Sequence, residues 1–256
     1  MATNTLHIRV RSDGTRVVGR GIKTIGDRAK DAGRQVFLLK RAIRTLFAAA
    51  GLRGAVRMVN TYTEMNNKIK TVIKSEKLLV GTRKKLHASA NKSRTSMDAI
   101  VQLYTRTTRA AKGLGKSENQ LIQFTESLAK ETVISGASSI EAANAIRQLT
   151  QGMGPAGLKG EELRSVLEQL PTVAQRIAAE MKVSTNELRR LGAEGKITGD
   201  IIIEAFLNAE KEIDENFKKT LLTLPQAMTV LKNNATEFFG ELDEGLGISR
   251  ALAGAI

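Results

Sequence analysis

The stretch GEELRSVLEQLPTVAQRIAAEMKVSTNELRRLGAEGKIT, residues 160–198, decides the fold of this chain. Its apolar residues recur at intervals of three and four, the spacing that places them on one face of a helix. Pro171 interrupts the pattern, and Ser184 with Glu187 three residues later has the form of a capping box that starts a new helix. Short helices separated by such signals predict a small helical bundle.

The composition of the whole chain extends that prediction. Of its 256 residues, 41% are hydrophobic, but only 4% are aromatic, and there are three Pro and no Trp. Apolar content made mainly of Ala, Leu, Ile and Val is typical of helices rather than of sandwiches or barrels. We therefore predict an all-α protein, a small helical bundle flanked by elongated amphipathic helices, with a short β-hairpin at the N-terminus.

Cysteine and histidine usage excludes several kinds of site. The chain has no Cys, so disulfides and thiolate metal ligands are absent. Its two His, His7 and His87, lie far apart in the sequence and have no metal-binding spacing. We expect no cofactor, no metal and no small-molecule substrate, and we find no motif that indicates an enzyme.

Charge divides the chain into two halves. Residues 1–116 contain 26 Lys and Arg against 6 Asp and Glu, whereas residues 117–256 contain 14 against 20. A basic block of this size predicts a polyanionic neighbour, either nucleic acid, an acidic protein surface or anionic lipid; solvated helix faces are the alternative. The basic residues predicted to contact a polyanion or the lumen of a tube are Arg41, Arg44, Arg53, Arg57, Arg83, Lys84, Lys85, Lys92 and Arg94.

Four segments are predicted from the patterning. Residues 1–28 contain LHIRV, the turn residues RSDG and then TRVV, which together indicate a hairpin. Residues 29–116 are predicted to be a basic, elongated helical region, in which residues 82–96 lack an apolar period and are expected to form a solvated connection. Residues 117–218 are the predicted compact domain, and residues 219–256 the start of a further helical region that is truncated here. The predicted core comprises Leu121, Phe124, Leu128, Ile146, Leu149, Leu163, Leu167, Ile177, Leu188, Ile202 and Phe206.

Residues 173–191 also have the spacing of a helix-turn-helix, which leaves a DNA-binding regulator as the alternative function. With Ala178 as the small residue of the first helix, Lys182 falls at a turn that requires positive φ, and Leu188 faces inward on the second helix. However, residues 184–187, which would enter the groove, include no Arg or Lys. This arrangement favours a helix-turn-helix used for packing.

The segment AAKGLGKS, residues 110–117, resembles a relaxed phosphate-binding loop in which Lys116 would reach the phosphates. The residues before it have a helical period rather than the pattern of an apolar strand, so the context for a nucleotide-binding loop is missing. Gly113 and Gly115 are better explained as the end of one helix before Ser117 caps the next.

An ordered series of motifs is more specific than any of these. LAKETVISGAS at residues 128–138 is followed by AIRQLTQGM at 145–153, LKGEELRSVLEQLP at 158–171, and VAQRIAAEM and VSTNELRRLGAEGKIT through residue 198. This series resembles the N-terminal domain of tape measure proteins of tailed bacteriophages and prophages. The resemblance covers about residues 115–210, and the N-terminal LHIRVRSDGTRVV with its basic helix is also similar to the start of such proteins.

The resemblance implies a structural tail protein that lies in the tail tube, sets tail length during assembly and leaves ahead of the DNA at infection. The expected partners are the tail tube protein, tail assembly chaperones, tail tip proteins and other copies of the chain, with non-specific DNA contact in addition. The implied location is the virion tail, and the host cytoplasm during assembly. Tape measure proteins are normally much longer, so we expect a fragment or a short relative.

Overall fold

The structure is a computed structural model of the chain, and it describes residues 54–246 with the exception of residue 138. Within this range, helices are the only regular secondary structure. The all-α prediction is therefore confirmed. The hairpin predicted at residues 1–28 lies outside the described residues, as does the helix predicted to follow it up to residue 53.

Eleven helices lie in the described range, and short connections join them. The first, α1, comprises residues 54–70 of the described range. The others are α2 (Glu76–Lys92), α3 (Met97–Ala110), α4 (Glu118–Ile134), α5 (Ser139–Gly152), α6 (Gly160–Gln169), α7 (Pro171–Glu180), α8 (Thr185–Ala193), α9 (Gly199–Asn208), α10 (Glu210–Lys219) and α11 (Leu224–Leu246).

Hydroxyl side chains begin many of these helices. An N-cap hydroxyl accepts a hydrogen bond from the backbone N–H three residues on at Ser75, Ser96, Ser117, Ser184 and Thr198. The N-caps predicted at Ser117 and Ser184 are confirmed, and α7 restarts the helix at Pro171. Only half of the capping box predicted at Ser184 forms. The Ser184 hydroxyl accepts from the Glu187 N–H, but the Glu187 carboxylate accepts a hydrogen bond from Arg190 instead of from the Ser184 backbone.

Helix α4 lies at the centre of the bundle, in contact with α2, α3, α7, α9 and α10. Phe124 on α4 and Phe206 on α9 are fully buried, and their rings meet edge to face with centroids 5.4 Å apart. All the predicted core residues are either buried or pack partly buried against the core, so that prediction is confirmed.

The apolar core continues into the helices that precede α4. It includes Met65 and Ile69 of α1, Leu86 of α2 and Tyr104 of α3. The described residues from Ala55 onward form one compact unit. Whether residues 117–218 are more stable than the helices before them stays a prediction.

Helix α2 corrects one expectation of the sequence analysis. Residues 82–92 are helical rather than a solvated connection, and α2 runs through Gly81 without a break. Polar or small side chains form much of the buried face of this helix, namely Thr82, Arg83, Ser89 and Ala90. Because three of these four residues are polar, the buried face of α2 gives little hydrophobic period in the sequence.

Helix α11 is joined to the helices before it by polar groups and by one close backbone approach. The side chain of Asn233 accepts a hydrogen bond from the Met97 N–H at 2.9 Å and donates to Asn91 Oδ1 at 3.2 Å. At Gly240, a Cβ atom would lie 2.1 Å from Cγ of Tyr62. Glycine is therefore required where α11 meets the Tyr62 ring of α1.

Candidate functional site

Three of the nine basic residues predicted to contact a polyanion, Arg41, Arg44 and Arg53, lie outside the described residues. Arg57 on α1 and Lys84 on α2 are exposed to solvent. Neither forms a salt bridge within the described part of the chain, so both remain accessible to an external anion.

Lys85 and Lys92 form ion pairs with the neighbouring helix α4. Lys85 Nζ lies 3.2 Å from a carboxylate oxygen of Glu118, and Lys92 Nζ lies 3.7 Å from one of Glu126. Both lysines are exposed, and exposed pairs of this kind contribute about 0–1 kcal/mol. These two cations can therefore exchange an internal partner for an external one at little cost.

Arg83 is placed quite differently from a surface cation. Its side chain is 3% exposed, and its guanidinium nitrogens lie 3.2 Å from Glu237, 3.2 Å from Glu244 and 3.7 Å from Glu241 of α11. The guanidinium also stacks over the Tyr62 ring at 4.8 Å from its centroid. The contact predicted for Arg83 with an external polyanion is therefore replaced by an internal bond between α2 and α11.

Glu237 is the most deeply buried carboxylate partner of Arg83. Burial raises the pKa of the Glu237 carboxyl above its usual value, against the opposing effect of Arg83. Its second oxygen, Oε2, has no hydrogen-bond partner among the described residues. Arg83 therefore compensates a charge that is costly to bury.

Arg94 also bonds within the chain. It adopts a φ of 55°, which is unfavourable for a residue with a side chain. Its guanidinium donates to the Thr220 carbonyl at 3.3 Å and lies 4.5 Å from the centre of the Phe217 ring. Arg94 thereby holds the connection that follows α10 against the end of α2.

Ion pairs also attach α9 and α10 to the region around α4. Lys116, just before α4, binds Asp200 at 2.7 Å and also contacts Glu204. Lys130 of α4 binds Asp214 of α10 at 2.6 Å. Many cations of this chain are therefore compensated by carboxylates from its acidic half.

The helix-turn-helix geometry predicted at residues 173–191 is present. Lys182 has a φ of 55°, the left-handed conformation that the turn requires, while Ala178 and Leu188 are buried. A DNA-binding motif would place a cation at the start of α8. The residue found there is Glu187, whose carboxylate is bound by Arg190. This motif packs α7 against α8, and the start of α8 offers hydroxyl, amide and carboxylate groups rather than phosphate-binding ones.

The loop at residues 111–117 separates two helices, as the sequence predicted. Gly113 and Gly115 adopt positive φ between the end of α3 and the Ser117 cap of α4. Hydrogen bonds to Asp200 and Glu204 raise the pKa of Lys116 and keep it protonated. Because Lys116 is bound to these carboxylates, it is not available as the lysine of a phosphate-binding loop.

A cleft of about 910 Å³ opens beside this loop, and we call it the basic cleft. Arg106 and Arg109 reach it from α3, Lys112 from the loop and Arg147 from α5. Its remaining lining residues are Ala110, Leu114, Thr150, Gln151, Met153, Gly154, Pro155, Thr198 and Gly199. No sequence pattern indicated these four cations as a site, because they are spread over about 40 residues and share no motif.

Helix α11 carries an exposed apolar surface, which we call the α11 stripe. Apolar residues follow an alternating spacing of four and three residues along α11. The α11 stripe comprises those that are not fully buried, namely Leu224, Met228, Leu231, Phe238 and Leu242, whereas Ala235 in the same series is buried in the fold. Four of them are exposed, with Leu224 at 76% and Met228 at 49%. This is the spacing of positions a and d in a coiled coil.

A match to a known protein family includes the residues of both the basic cleft and the α11 stripe. A family model described as "Tape measure protein" matches residues 53–244. This range includes the described residues of α1 to α10 and most of α11. The chain belongs to the tape measure protein family. No curated protein matches the chain, and no solved structure matches it.

This tape measure protein is a structural protein of the phage tail, as the resemblance implied. No helix in the described part of the chain is long and apolar enough to cross a membrane. No group of three or more His, Asp or Glu side chains among those residues has an arrangement that could hold a metal ion.

Proposed function

We propose that this tape measure protein lies in the lumen of the tail tube, sets tail length during assembly and leaves the tube ahead of the DNA at infection. The family match over residues 53–244 is the observation that carries the proposal. The all-α fold of the chain supports the same role, because each residue added to a helix increases its length by a constant rise of about 1.5 Å.

Tail length provides the test of this role. Heptads of a helix-forming sequence inserted between α10 and α11, in the gene of the phage or prophage that encodes the chain, should lengthen the tail by about 1.5 Å per added residue. The measurement is tail length in electron micrographs of purified particles. The site is suitable because Leu221 and Leu222 in this connection are exposed.

A matched control places the same heptads in the glycine-rich loop before α6, where Gly157 packs against the backbone carbonyls of Ile197 and Gly195. This insertion should disrupt packing, so that tails are lost or reduced in number. Normal tails of unchanged length from the first insertion would contradict the proposed measuring role of this segment.

The proposed partners are the tail tube protein, tail assembly chaperones, tail tip proteins and other copies of the chain. The α11 stripe supports association with a second copy, since exposed apolar residues at this spacing can pack against the equivalent residues of another helix. Four residues of the α11 stripe are exposed, so a contact that buries them would remove apolar surface from water.

Replacing Leu224, Met228 and Leu242 with Gln should convert an oligomer of the chain into a monomer in sedimentation experiments. Thermal stability of the monomer should change little, because all three side chains are exposed in the fold. Lys232→Gln on the same helix is the control and should leave the oligomer intact. An unchanged oligomer in the triple variant, or a monomeric parent chain, would exclude the α11 stripe as the contact.

A further inference from the structure

The basic cleft brings together four cations without any acidic residue in its lining. Arg106 is half-buried, whereas Arg109, Lys112 and Arg147 are exposed at its rim. Arg109 donates a hydrogen bond to the Thr71 hydroxyl at 2.6 Å. None of the four forms a salt bridge with a carboxylate among the described residues, in contrast to Arg83, Lys116 and Lys130.

The acidic residue next to the lining does not cancel this charge. Asp200 follows the lining residue Gly199, but its carboxylate is bound to Lys116 at 2.7 Å. Lys116 is 10% exposed and also contacts Glu204, so the three groups form a compact charged cluster of their own. That cluster has one positive and two negative charges, so the four cations of the basic cleft still outweigh its single excess negative charge.

The lining provides further hydrogen-bond donors around the same space. Thr198 supplies a hydroxyl group and is also the N-cap of α9, where the helix dipole is positive, whereas the Thr150 hydroxyl already donates to the Ile146 carbonyl. Gly154 and Gly199 have no side chains that would narrow the cleft. A guanidinium offers two parallel N–H groups, the geometry that matches the oxygens of a phosphate.

We propose that the basic cleft binds phosphate groups, supplied either by a free oligophosphate or by consecutive phosphates of a nucleic-acid strand. Cations from α3, from the loop and from α5 approach one concave space from three elements. This arrangement suits a tetrahedral anion that accepts hydrogen bonds from several directions. It suits the side chains of an acidic helix less well, because their carboxylates project along one line.

The first measurement compares two variants of the full chain that lose the same charge. Arg106→Gln with Arg147→Gln removes two cations from the cleft, whereas Arg189→Gln with Lys218→Gln removes two exposed cations elsewhere. The probe is a fluorescein-labelled oligothymidylate, followed by anisotropy at several salt concentrations. The cleft variant should bind about tenfold more weakly at low salt, and the control less than about threefold.

The salt dependence gives a second, independent readout. Loss of two phosphate contacts should reduce the slope of log affinity against log salt by about 1.4 for a single strand in the cleft variant. Because other basic segments of the chain also attract DNA, the difference between the two variants is the quantity that matters. Equal weakening of both variants would show general surface charge and overturn the proposal.

Protection from phenylglyoxal, mapped by mass spectrometry, identifies the ligand and the site together. Tripolyphosphate or oligothymidylate should protect Arg106 and Arg147 from modification, but not Arg189. If tripolyphosphate protects these arginines at a lower concentration than the oligonucleotide does, the ligand is a free oligophosphate. If the oligonucleotide protects at the lower concentration, the ligand is a nucleic-acid strand. Protection by neither, or protection by polyglutamate alone, would overturn the assignment to phosphate.

Discussion

Replacing Arg83 with Met is expected to lower the free energy of unfolding by about 3–5 kcal/mol, the usual effect of removing one partner from a buried ion pair. The variant leaves Glu237, Glu241 and Glu244 without the cation that they share. Since these carboxylates all belong to α11, separation of α11 from α2 should precede unfolding of the bundle. Urea unfolding followed by circular dichroism measures the loss, and hydrogen exchange locates it in α11.

The pH dependence of this loss identifies Glu237 as its main source. In the parent chain burial already holds the pKa of Glu237 above its unfolded value, so the protonated carboxyl favours the folded state. Without Arg83 that pKa should rise further, because the cation opposed the shift. The destabilisation should therefore be greatest above the folded pKa of Glu237 and should diminish as the pH falls through it.

Two further variants serve as controls for the Arg83 experiment. Adding Glu237→Leu to Arg83→Met removes the buried charge and should restore much of the lost stability. Lys84→Met changes the neighbouring exposed cation and should alter stability by no more than about 0.5 kcal/mol. A similar loss in the Arg83 and Lys84 variants would contradict the role assigned to the buried ion pair.

Phe124→Ala is expected to cost about 3–5 kcal/mol and to lower the unfolding midpoint of the whole bundle. Phe124 is fully buried on the central helix α4, and its ring meets that of Phe206 on α9. Truncation leaves a cavity between two helices whose facing residues are fully buried, so the surroundings cannot collapse into it completely. Chemical and thermal unfolding monitored by circular dichroism provide the measurement.

A double-mutant cycle with Phe206→Ala separates the ring contact from the two cavities. The coupling should be about 0.5–1.5 kcal/mol, the range for aromatic pairs in edge-to-face contact. Leu222→Ala is the matched control, because its side chain is 58% exposed and should lose little. A cost for Phe124→Ala close to that of Leu222→Ala would contradict the placement of α4 at the centre of the core.

The second half of the chain was predictable because its signals are local. Ser117 and Ser184 cap helices through bonds that reach only three residues along the chain. Pro171 starts α7, and the Lys182 turn follows from spacing within one helix pair. The apolar faces that contain Phe124 and Phe206 have a clear helical period, which reflects the burial that the structure describes.

The role of Arg83 could not be predicted from the same kind of pattern. In the sequence it stands in the basic run RKK, where all three residues suggest a solvated face. Its carboxylate partners lie more than 150 residues later. Only the approach of α11 to α2 distinguishes buried Arg83 from exposed Lys84.

The candidate sites show the same distinction. The density of cations along the chain indicated Lys84 and Lys85, whereas the basic cleft combines Arg106 with Arg147 across two helices. The residues that could mark such a cleft in the sequence are the glycines of the loops beside it. Those glycines indicate turns but do not indicate which cations the turns bring together.

The sequence by itself determined that this tape measure protein is helical, where helices α4, α7 and α8 begin, and to which family it belongs. These properties depend on residues close together in the chain or on an ordered series of motifs. The tertiary structure decided which cations are buried, which pair with carboxylates and which surround a cleft. The physical reason is that burial and electrostatic pairing depend on distances in space, and helix packing sets those distances between residues far apart in the chain.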